Sequence, residues 1–218
     1  MRSCFWMMAC IITGCACFGQ SFSIGVIGGV RGTDDLTGPG ATSASKRYVV
    51  GPALDIGLPL GFGLEADALY RREGYQSFFS TAPYTVLNAY SIFSDERANS
   101  WEFPVLIKYR LPFLALRPFL ELGYAHRVIH GSINVNFVCC YPVPGSTQTT
   151  ASTQYPGSDG IVTGGGVQFG IGRLRLSPVV RYTRWTTSPI SQPNPAFPTW
   201  QSAQNQVDVL LSIVWKIG

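Results

Sequence analysis

The segment Trp101–Leu111 reads W-E-F-P-V-L-I-K-Y-R-L and decides the fold class of the chain. Because successive side chains of a β-strand point to opposite faces, a period of two divides this segment into two sets. One set is entirely apolar or aromatic: Trp101, Phe103, Val105, Ile107, Tyr109 and Leu111. The other set includes the charges: Glu102, Pro104, Leu106, Lys108 and Arg110. The segment therefore predicts an amphipathic β-strand.

The positions of the aromatic residues indicate that this strand crosses a bilayer. Alternation alone also fits a half-buried strand of a soluble sheet. However, Trp101 and Tyr109 lie towards the two ends of the apolar face, with mainly aliphatic residues between them. Membrane-spanning strands place their interfacial aromatic girdles in this way. The length also suits a tilted strand, which needs roughly 9 to 11 residues to cross. We predict a transmembrane β-strand.

The composition of the 218 residues excludes several classes of protein. Charged residues make up only 13% of the chain, which disfavours disorder. After the start of the chain there is no apolar run of about 18 residues, so a polytopic helical membrane protein is excluded. The net charge is +4, or +3 without Arg2, and it is dispersed, so nucleic acid is not an expected partner.

Residues 1–19 resemble an export signal. Arg2 supplies a positive charge, Phe5–Ile12 forms a short apolar core, and small residues follow. Cleavage after Gly19 would leave residues 20–218 as a single barrel domain. We therefore predict an N-terminal signal peptide.

The cysteines give a competing interpretation of the leader. Ile12-Thr13-Gly14-Cys15 resembles a lipobox, in which Cys15 would be acylated, and both interpretations remain open. Four of the six cysteines lie in the leader, so the mature chain keeps only Cys139 and Cys140. Adjacent cysteines bridge only with strain, because their Cα atoms are closer than ordinary disulfides require. We expect two loop thiols, with their oxidation state undetermined.

Seven further segments alternate in the same way as Trp101–Leu111. They are Ser23–Arg31, Arg47–Leu58, Gly63–Arg72, Arg117–Val128, Ile161–Ile171, Leu174–Trp185 and Gln206–Ile217. The connections between the eight segments alternate between long and short, and the long ones are residues 32–46, 73–99, 129–157 and 186–204. This rhythm predicts an all-β, eight-stranded antiparallel up-and-down transmembrane barrel. The long loops would lie at one end and both termini at the other.

The polar faces of these strands carry charges of both signs. Their acids are Asp55, Glu65, Asp67, Glu102, Glu121 and Asp208, and their bases are Arg47, Arg71, Lys108, Arg110, Arg127, Arg175, Arg181 and Lys216. Eight strands leave an interior just wide enough for side chains. Since an unpaired buried charge costs several kcal/mol, we expect a packed interior of ion pairs and no wide pore.

Four prolines lie within the predicted strands: Pro52, Pro104, Pro118 and Pro178. We predict that they lie on the apolar face. A closed barrel has no edge strand to accommodate a missing N–H group, so local bulges would be needed.

The chain resembles the small outer-membrane β-barrels of the OmpA/OmpX type. The resemblance rests on the leader, the Trp101 segment, R-P-F-L-E-L-G-Y (117–124), G-G-G-V-Q-F-G (164–170), L-S-P-V-V-R-Y-T-R-W (176–185) and V-D-V-L-L-S-I-V-W-K-I-G (207–218). It implies a place in the outer membrane of a Gram-negative-type bacterium, with the lipid bilayer and the barrel-insertion machinery as partners. The chain departs from the family in one respect, since it ends on Gly218 and not on an aromatic residue.

The sequence favours a non-enzymatic barrel that serves envelope structure or surface interaction through its loops, because a fold alone supplies no chemistry. It contains two histidines and no metal, nucleotide or phosphate motif, so no catalytic, cofactor-binding or metal-binding residue is assigned. The partner of the loops is not specified by the sequence. Charge pairing in the interior disfavours a narrow channel.

Two other functions are alternatives. His130-Gly131-Ser132, with His126 nearby, is similar to the His-x-Ser pair of outer-membrane lipid A deacylases, in which His activates Ser as the nucleophile. That chemistry needs an acid to orient the histidine, and the sequence supplies none clearly. A soluble lipocalin-like carrier would share the eight strands, but its apolar face would line a cavity and its charges would face outwards.

Overall fold

In a computed structural model, which describes residues 21–81, 90–111, 116–139, 145–191 and 199–217, the chain is an all-β protein. Its strands are β1 (Ser21–Arg31), β2 (Leu36–Thr37), β3 (Thr42–Ser43), β4 (Tyr48–Gly57), β5 (Phe62–Asp67), β6 (Leu69–Thr81), β7 (Tyr90–Arg110), β8 (Leu116–Cys139), β9 (Gly145–Gln154), β10 (Ser158–Ile171), β11 (Leu174–Trp185), β12 (Gln201–Ser202) and β13 (Asn205–Lys216). No helix among the described residues is long and apolar enough to span a membrane.

These strands form a closed antiparallel barrel whose wall has eight strand positions. In order around the barrel, the positions are occupied by β1, β4, β5 with β6, β7, β8, β9 with β10, β11 and β13. The barrel closes because β13 pairs with β1, from Ser23 opposite Lys216 to Arg31 opposite Asp208. The predicted eight-stranded up-and-down fold is therefore confirmed.

The two faces of the wall differ as the alternation predicts. From Trp101 to Arg110 the side chains are alternately exposed and buried, with Trp101 and every second residue after it exposed. Glu102, Lys108 and Arg110 are buried inside the barrel. The apolar face of the strand is thus the outer surface of the barrel, as expected for a strand in contact with lipid.

Two aromatic girdles border the outward apolar band. One contains Phe22, Phe62, Tyr109, Phe169 and Trp215, and the other contains Tyr48, Tyr70, Trp101, Tyr124 and Tyr182. Neighbouring rings touch within each girdle: the Phe62 and Tyr109 centroids are 5.0 Å apart, and the Tyr70 and Trp101 centroids 5.3 Å apart. Exposed aliphatic residues lie between the girdles. This is the surface of a β-barrel that crosses a bilayer.

The prediction of long loops at residues 73–99 and 129–157 is wrong for most of their length. β6 continues to Thr81, β7 begins at Tyr90, β8 continues to Cys139, and β9 pairs with β8 from Gly145 to Gln154. These strand segments extend the wall beyond the Tyr70–Trp101 girdle, and we call residues 72–81, 90–99, 130–139 and 145–154 the protruding sheet. Outside lipid, neither face has to be apolar, so the alternation that marks a strand is lost.

The end of the barrel that carries the protruding sheet is called the upper end, and the opposite end the lower end. At the lower end, a 3-10 turn at Pro59–Gly61 joins β4 to β5, and Gly172 has a φ of +62° in the turn between β10 and β11. The described ends of the first and last strands also lie there, since Ser23 is opposite Lys216. The predicted leader, Cys15, the Cys140 position and Gly218 lie outside the described residues, as does the side chain of Cys139.

The prolines occupy both faces of the wall. Pro52, Pro118 and Pro178 lie on the outward face as predicted. Pro104 is buried on the inward face, so that part of the prediction is wrong, and the alternation of Trp101–Leu111 itself places Pro104 with Glu102 and Lys108. The bulge expected at Pro52 is absent, because the register is the same on both sides of it, with Val50 opposite Tyr70 and Ala53 opposite Asp67. The ladder is instead interrupted at Ala68, whose N–H donates to the Pro52 carbonyl at 3.1 Å. The missing N–H of Pro52 removes the return bond.

Candidate functional site

The lower half of the barrel interior holds a cluster of ion pairs centred on Arg181. The Arg181 guanidinium donates to Glu121 at 2.8 Å, to Asp67 at 3.0 Å and to Glu65 at 3.0 Å. Lys108 donates to Glu65 and lies 3.8 Å from a Glu121 carboxylate oxygen. All of these residues are buried. Such mutual pairing is the condition under which charges persist in a low-dielectric interior.

A second cluster lies above the first and is centred on Arg71. Its guanidinium contacts the Glu102 carboxylate at 2.9 Å and donates to Asp208 at 3.1 Å. Gln206 joins the cluster, because its amide donates to Asp208 at 2.8 Å and to Glu102 at 3.3 Å. Above these residues, Arg31 donates to the Gln206 amide oxygen at 2.8 Å.

Arg127 connects the upper cluster to the barrel wall. Its guanidinium lies over the Trp185 ring, 4.3 Å from the centroid, and 3.7 Å from the Glu73 carboxylate. Arg31 approaches the same carboxylate at 3.8 Å. Glu73 was not among the predicted interior charges because it falls within a predicted loop, although it lies two residues beyond Arg71 on the same face of β6.

The structure places most of the predicted interior charges together, with exceptions. All six predicted acids are buried. Arg47, however, lies outside the barrel beside Asp34, with 70% of its side chain exposed, so its predicted interior position is wrong. The error arises because Arg47 lies one residue before the start of β4. Its side chain is therefore not constrained by the inward and outward alternation of that strand.

Apolar side chains fill the interior around the ionic clusters and at the upper end. Ile27, Val49, Ala53, Leu69, Phe119, Val179, Leu210 and Val214 pack against one another inside the barrel. At the upper end, Ile190 and Trp200 pack against Tyr75, Ala98 and Ile129. The segments that carry this second group are held across the barrel mouth, because β12 pairs with β2 and β3 pairs with β6.

A cavity of about 380 Å³ lies above this apolar cap, against the inner face of the protruding sheet. Its lining includes Ile92, Glu96, Ile133, Tyr155 and Trp200. The Tyr155 hydroxyl donates to the Glu96 carboxylate at 3.2 Å. Burial raises the pKa of Glu96 above that of an ordinary carboxyl, and the hydrogen bond from Tyr155 opposes this shift.

The histidines and Ser132 lie on the outward face of β8, but they do not form a triad among the described residues. His130 lies between Asn99 and Gln154 in the register, with no carboxylate from the described part of the chain bonded to it. The acid lies lower, beside His126, whose Nδ1 is 2.7 Å from Asp159. Since His126 and Ser132 are six residues apart, about 20 Å of strand separates them.

The orientation of the two faces contradicts the lipocalin-like alternative. That alternative needs an apolar cavity and a charged exterior, whereas Val105, Ile107 and Leu120 are 48%, 61% and 68% exposed on the outside. Lys108 and Arg181 lie inside and are 2% exposed. The observed arrangement is that of a barrel surrounded by lipid.

No protein-family model matches the chain, and no curated protein matches its sequence. Among solved structures, the outer membrane protein OprG from Pseudomonas aeruginosa is 11% identical in sequence, with a TM-score of 0.49. The match covers 92% of this chain and 96% of the OprG chain. A major outer membrane protein from Thermus thermophilus is 10% identical with a TM-score of 0.47, covering 91% and 100% respectively. Neisserial surface protein A is 11% identical with a TM-score of 0.45, covering 91% and 97%. At these values the fold assignment depends on the strand pairing and surface described above.

Proposed function

We propose that this chain is an integral outer-membrane β-barrel protein without enzymatic activity, whose upper end serves envelope structure or surface interaction. The observation that carries the proposal is the exposed apolar band between the two aromatic girdles. At the level of this band, the charged side chains of the described strands point into the barrel. A barrel of this kind spans a membrane and has no open edge. The barrel-insertion machinery is the expected assembly partner.

We further propose that the barrel does not conduct ions freely. The ion pairs around Arg181 and Arg71 fill successive levels of the interior, and the Ile190 and Trp200 side chains add an apolar cap above them. Two barriers in series would therefore block the path. The protruding sheet, and not the bore of the barrel, is then the part of the molecule available to partners outside the cell.

Cell fractionation tests the membrane assignment. We expect the protein in the outer-membrane fraction, with an electrophoretic mobility that changes on boiling, because a closed barrel resists detergent when cold. Soluble protein in the periplasm, with the same mobility before and after boiling, would overturn the proposal.

Planar-bilayer recording tests the closed interior. The full mature chain should show no steady conductance, and the Ile190→Ala/Trp200→Ala variant should also remain closed because the ionic clusters persist. Steady single-channel currents from the unaltered protein would show an open pore. Currents only in the variant would assign the barrier to the apolar cap alone.

The lipid A deacylase alternative is not favoured, because His126, with the Asp159 carboxylate of β10 beside it, lies six residues along β8 from Ser132. Lipid A acylation in cells that carry His130→Ala should equal that in cells with the unaltered protein. A loss of deacylated lipid A in the variant would restore the enzymatic interpretation.

A further inference from the structure

A row of polar and cationic side chains crosses the outward face of the protruding sheet. Backbone pairing sets Arg72 opposite Asn99, and Asn99 opposite His130. Lys46 extends the row, since its N–H donates to the Arg72 carbonyl oxygen at 2.9 Å. We call Lys46, Arg72, Asn99 and His130 the cationic row. Its members come from four separate chain segments, so the sheet register alone brings them together.

The row borders a shallow cavity of about 360 Å³ on the outside of the wall. Arg72, Asn99 and His130 line it, together with Arg97 and Ser132 from the next row of the sheet. Arg97 already has an anionic partner, because its Nε donates to Asp95 at 3.0 Å. By contrast, no carboxylate among the described residues lies within 4.0 Å of the charged groups of Lys46 or Arg72. Neither Lys46 nor Arg72 therefore forms an ion pair within the described part of the chain.

Arg72 and Lys46 each lie two residues along the chain from an aromatic residue of the upper girdle, Tyr70 and Tyr48 respectively. Arg72 is two residues beyond Tyr70, and Asn99 is two residues before Trp101, so the row begins about 7 Å along the strands from the upper girdle. The polar headgroup layer extends roughly 5 to 7 Å beyond the hydrocarbon on each side of a bilayer. Arg72 and Lys46 are thus at the depth where lipid phosphates lie.

We propose that the cationic row binds the phosphate groups of phosphorylated glycolipid in the leaflet at the upper end of the barrel. Arg72 offers its planar guanidinium for two parallel hydrogen bonds to a phosphate, and Lys46 adds a second charge. The Asn99 amide and the His130 ring supply further hydrogen-bond donors on the other side of the cavity. This inference rests on the proposed outer-membrane location, because the partner must lie in the same leaflet.

The test measures binding of bisphosphorylated lipid A to the full mature protein in detergent micelles, by native mass spectrometry over a lipid titration. The Lys46→Gln/Arg72→Gln variant should bind about tenfold more weakly than the unaltered protein, because two charge-assisted contacts are lost. Dephosphorylated lipid A should bind both proteins weakly and equally. Unchanged mobility shift on boiling will show that the variant barrel is intact, since both side chains are exposed.

The matched control is Arg47→Gln/Arg184→Gln, which removes the same charge from the upper end outside the row. Arg47 already pairs with Asp34, and Arg184 donates to Asn205. The control should bind bisphosphorylated lipid A like the unaltered protein. Equal weakening by both double variants, tight binding of dephosphorylated lipid A, or full displacement by millimolar inorganic phosphate would overturn the inference. A failure of the membrane assignment would appear separately, as a barrel absent from the outer-membrane fraction.

Discussion

Arg181 on β11 and Glu121 on β8 form an ion pair inside the barrel. The pair crosses the inner face of Gly164 on β10, the strand that separates them. Gly164 is opposite Glu121 on one side and opposite Arg181 on the other. A Cβ atom at Gly164 would lie 2.7 Å from the Glu121 Oε1 atom, which accepts the hydrogen bond from Arg181 Nε at 2.8 Å. The glycine therefore provides the space in which the two side chains meet.

Replacing Arg181 should destabilise the barrel strongly. Arg181→Met leaves Glu65, Asp67 and Glu121 without their shared partner, and breaking a buried pair from one side costs about 3 to 5 kcal/mol. The free energy of unfolding, measured by urea titration in lipid vesicles, should fall by that amount. Arg47→Met is the control and should change it by about 0.5 kcal/mol or less, because the pair with Asp34 is exposed. Similar effects of the two substitutions would contradict the role given to the interior cluster.

A positive charge in the outward apolar band should oppose insertion. Val105 lies between Trp101 and Tyr109 on the outward face and is 48% exposed. Val105→Arg should lower the free energy of unfolding in vesicles by about 2 to 4 kcal/mol, as arginine does near the midplane of a bilayer. Ser132→Arg places the same side chain on the outward face of β8 above the girdle and should have little effect. If both variants were equally stable, the band would not face lipid.

The seam between the first and last strands requires a glycine at residue 25. A Cβ atom there would lie 1.9 Å from the Ile213 carbonyl oxygen and 2.6 Å from the Val214 Cα, both of which are backbone atoms. Gly25→Ala should force β1 and β13 apart, and overpacking of this kind costs about 1 to 3 kcal/mol. The fraction of protein with the mobility of the folded barrel before boiling should fall.

Gly170→Ala is the matched control for the seam, because no heavy atom lies within 4 Å of the position that its Cβ would occupy. It should fold like the unaltered protein. Normal folding of Gly25→Ala would show that the two strands are less tightly apposed than the structure has them.

The protruding sheet should become more stable as the pH falls. Because burial raises the pKa of Glu96, the folded sheet binds more protons than the unfolded chain between the ordinary carboxyl pKa of 4.5 and the higher folded value. Stability is therefore lost as the pH rises through that window. Hydrogen exchange of the β8 amides, corrected for intrinsic rates, should show greater protection at pH 5 than at pH 7.

Glu96→Gln keeps a hydrogen-bond acceptor for Tyr155 but does not titrate. In this variant the difference in β8 protection between the two pH values should shrink. The same pH dependence in both proteins would assign the effect to other carboxyl groups.

The sequence was sufficient to predict the lipid-facing strands, because lipid imposes a strict condition on every second residue. The predicted segment Leu174–Trp185 coincides with β11, and Gln206–Ile217 differs from β13 by one residue at each end. By contrast, Trp101–Leu111 covers only the lower half of β7, which begins at Tyr90. The protruding sheet was not predicted, because its strands meet water on their outer face and polar residues are tolerated on both faces. In β9, G-S-T-Q-T-T-A-S-T-Q contains no apolar alternation at all.

The sequence also did not predict which charged residues form ion pairs with each other. Arg71 and Asp208 are 137 residues apart, and only the curvature of the closed wall brings them within a hydrogen bond. The acid beside His126 was missed for the same reason, since Asp159 lies on a different strand. Alternation identifies which face a side chain occupies, but not which residue lies across from it.

Closure of the wall by β1 and β13 also constrains the order of folding. Each of the other interfaces joins positions of the wall that follow one another along the chain, so hairpins such as β7 with β8 form between segments that are close in sequence. The final interface joins the first described strand to the last, and its register cannot form before β13 has been synthesised. The closing step must therefore be the most non-local one. A chain interrupted before Asn205 would lack β13 and would leave two unpaired strand edges in the bilayer, where lipid offers no hydrogen-bonding partners.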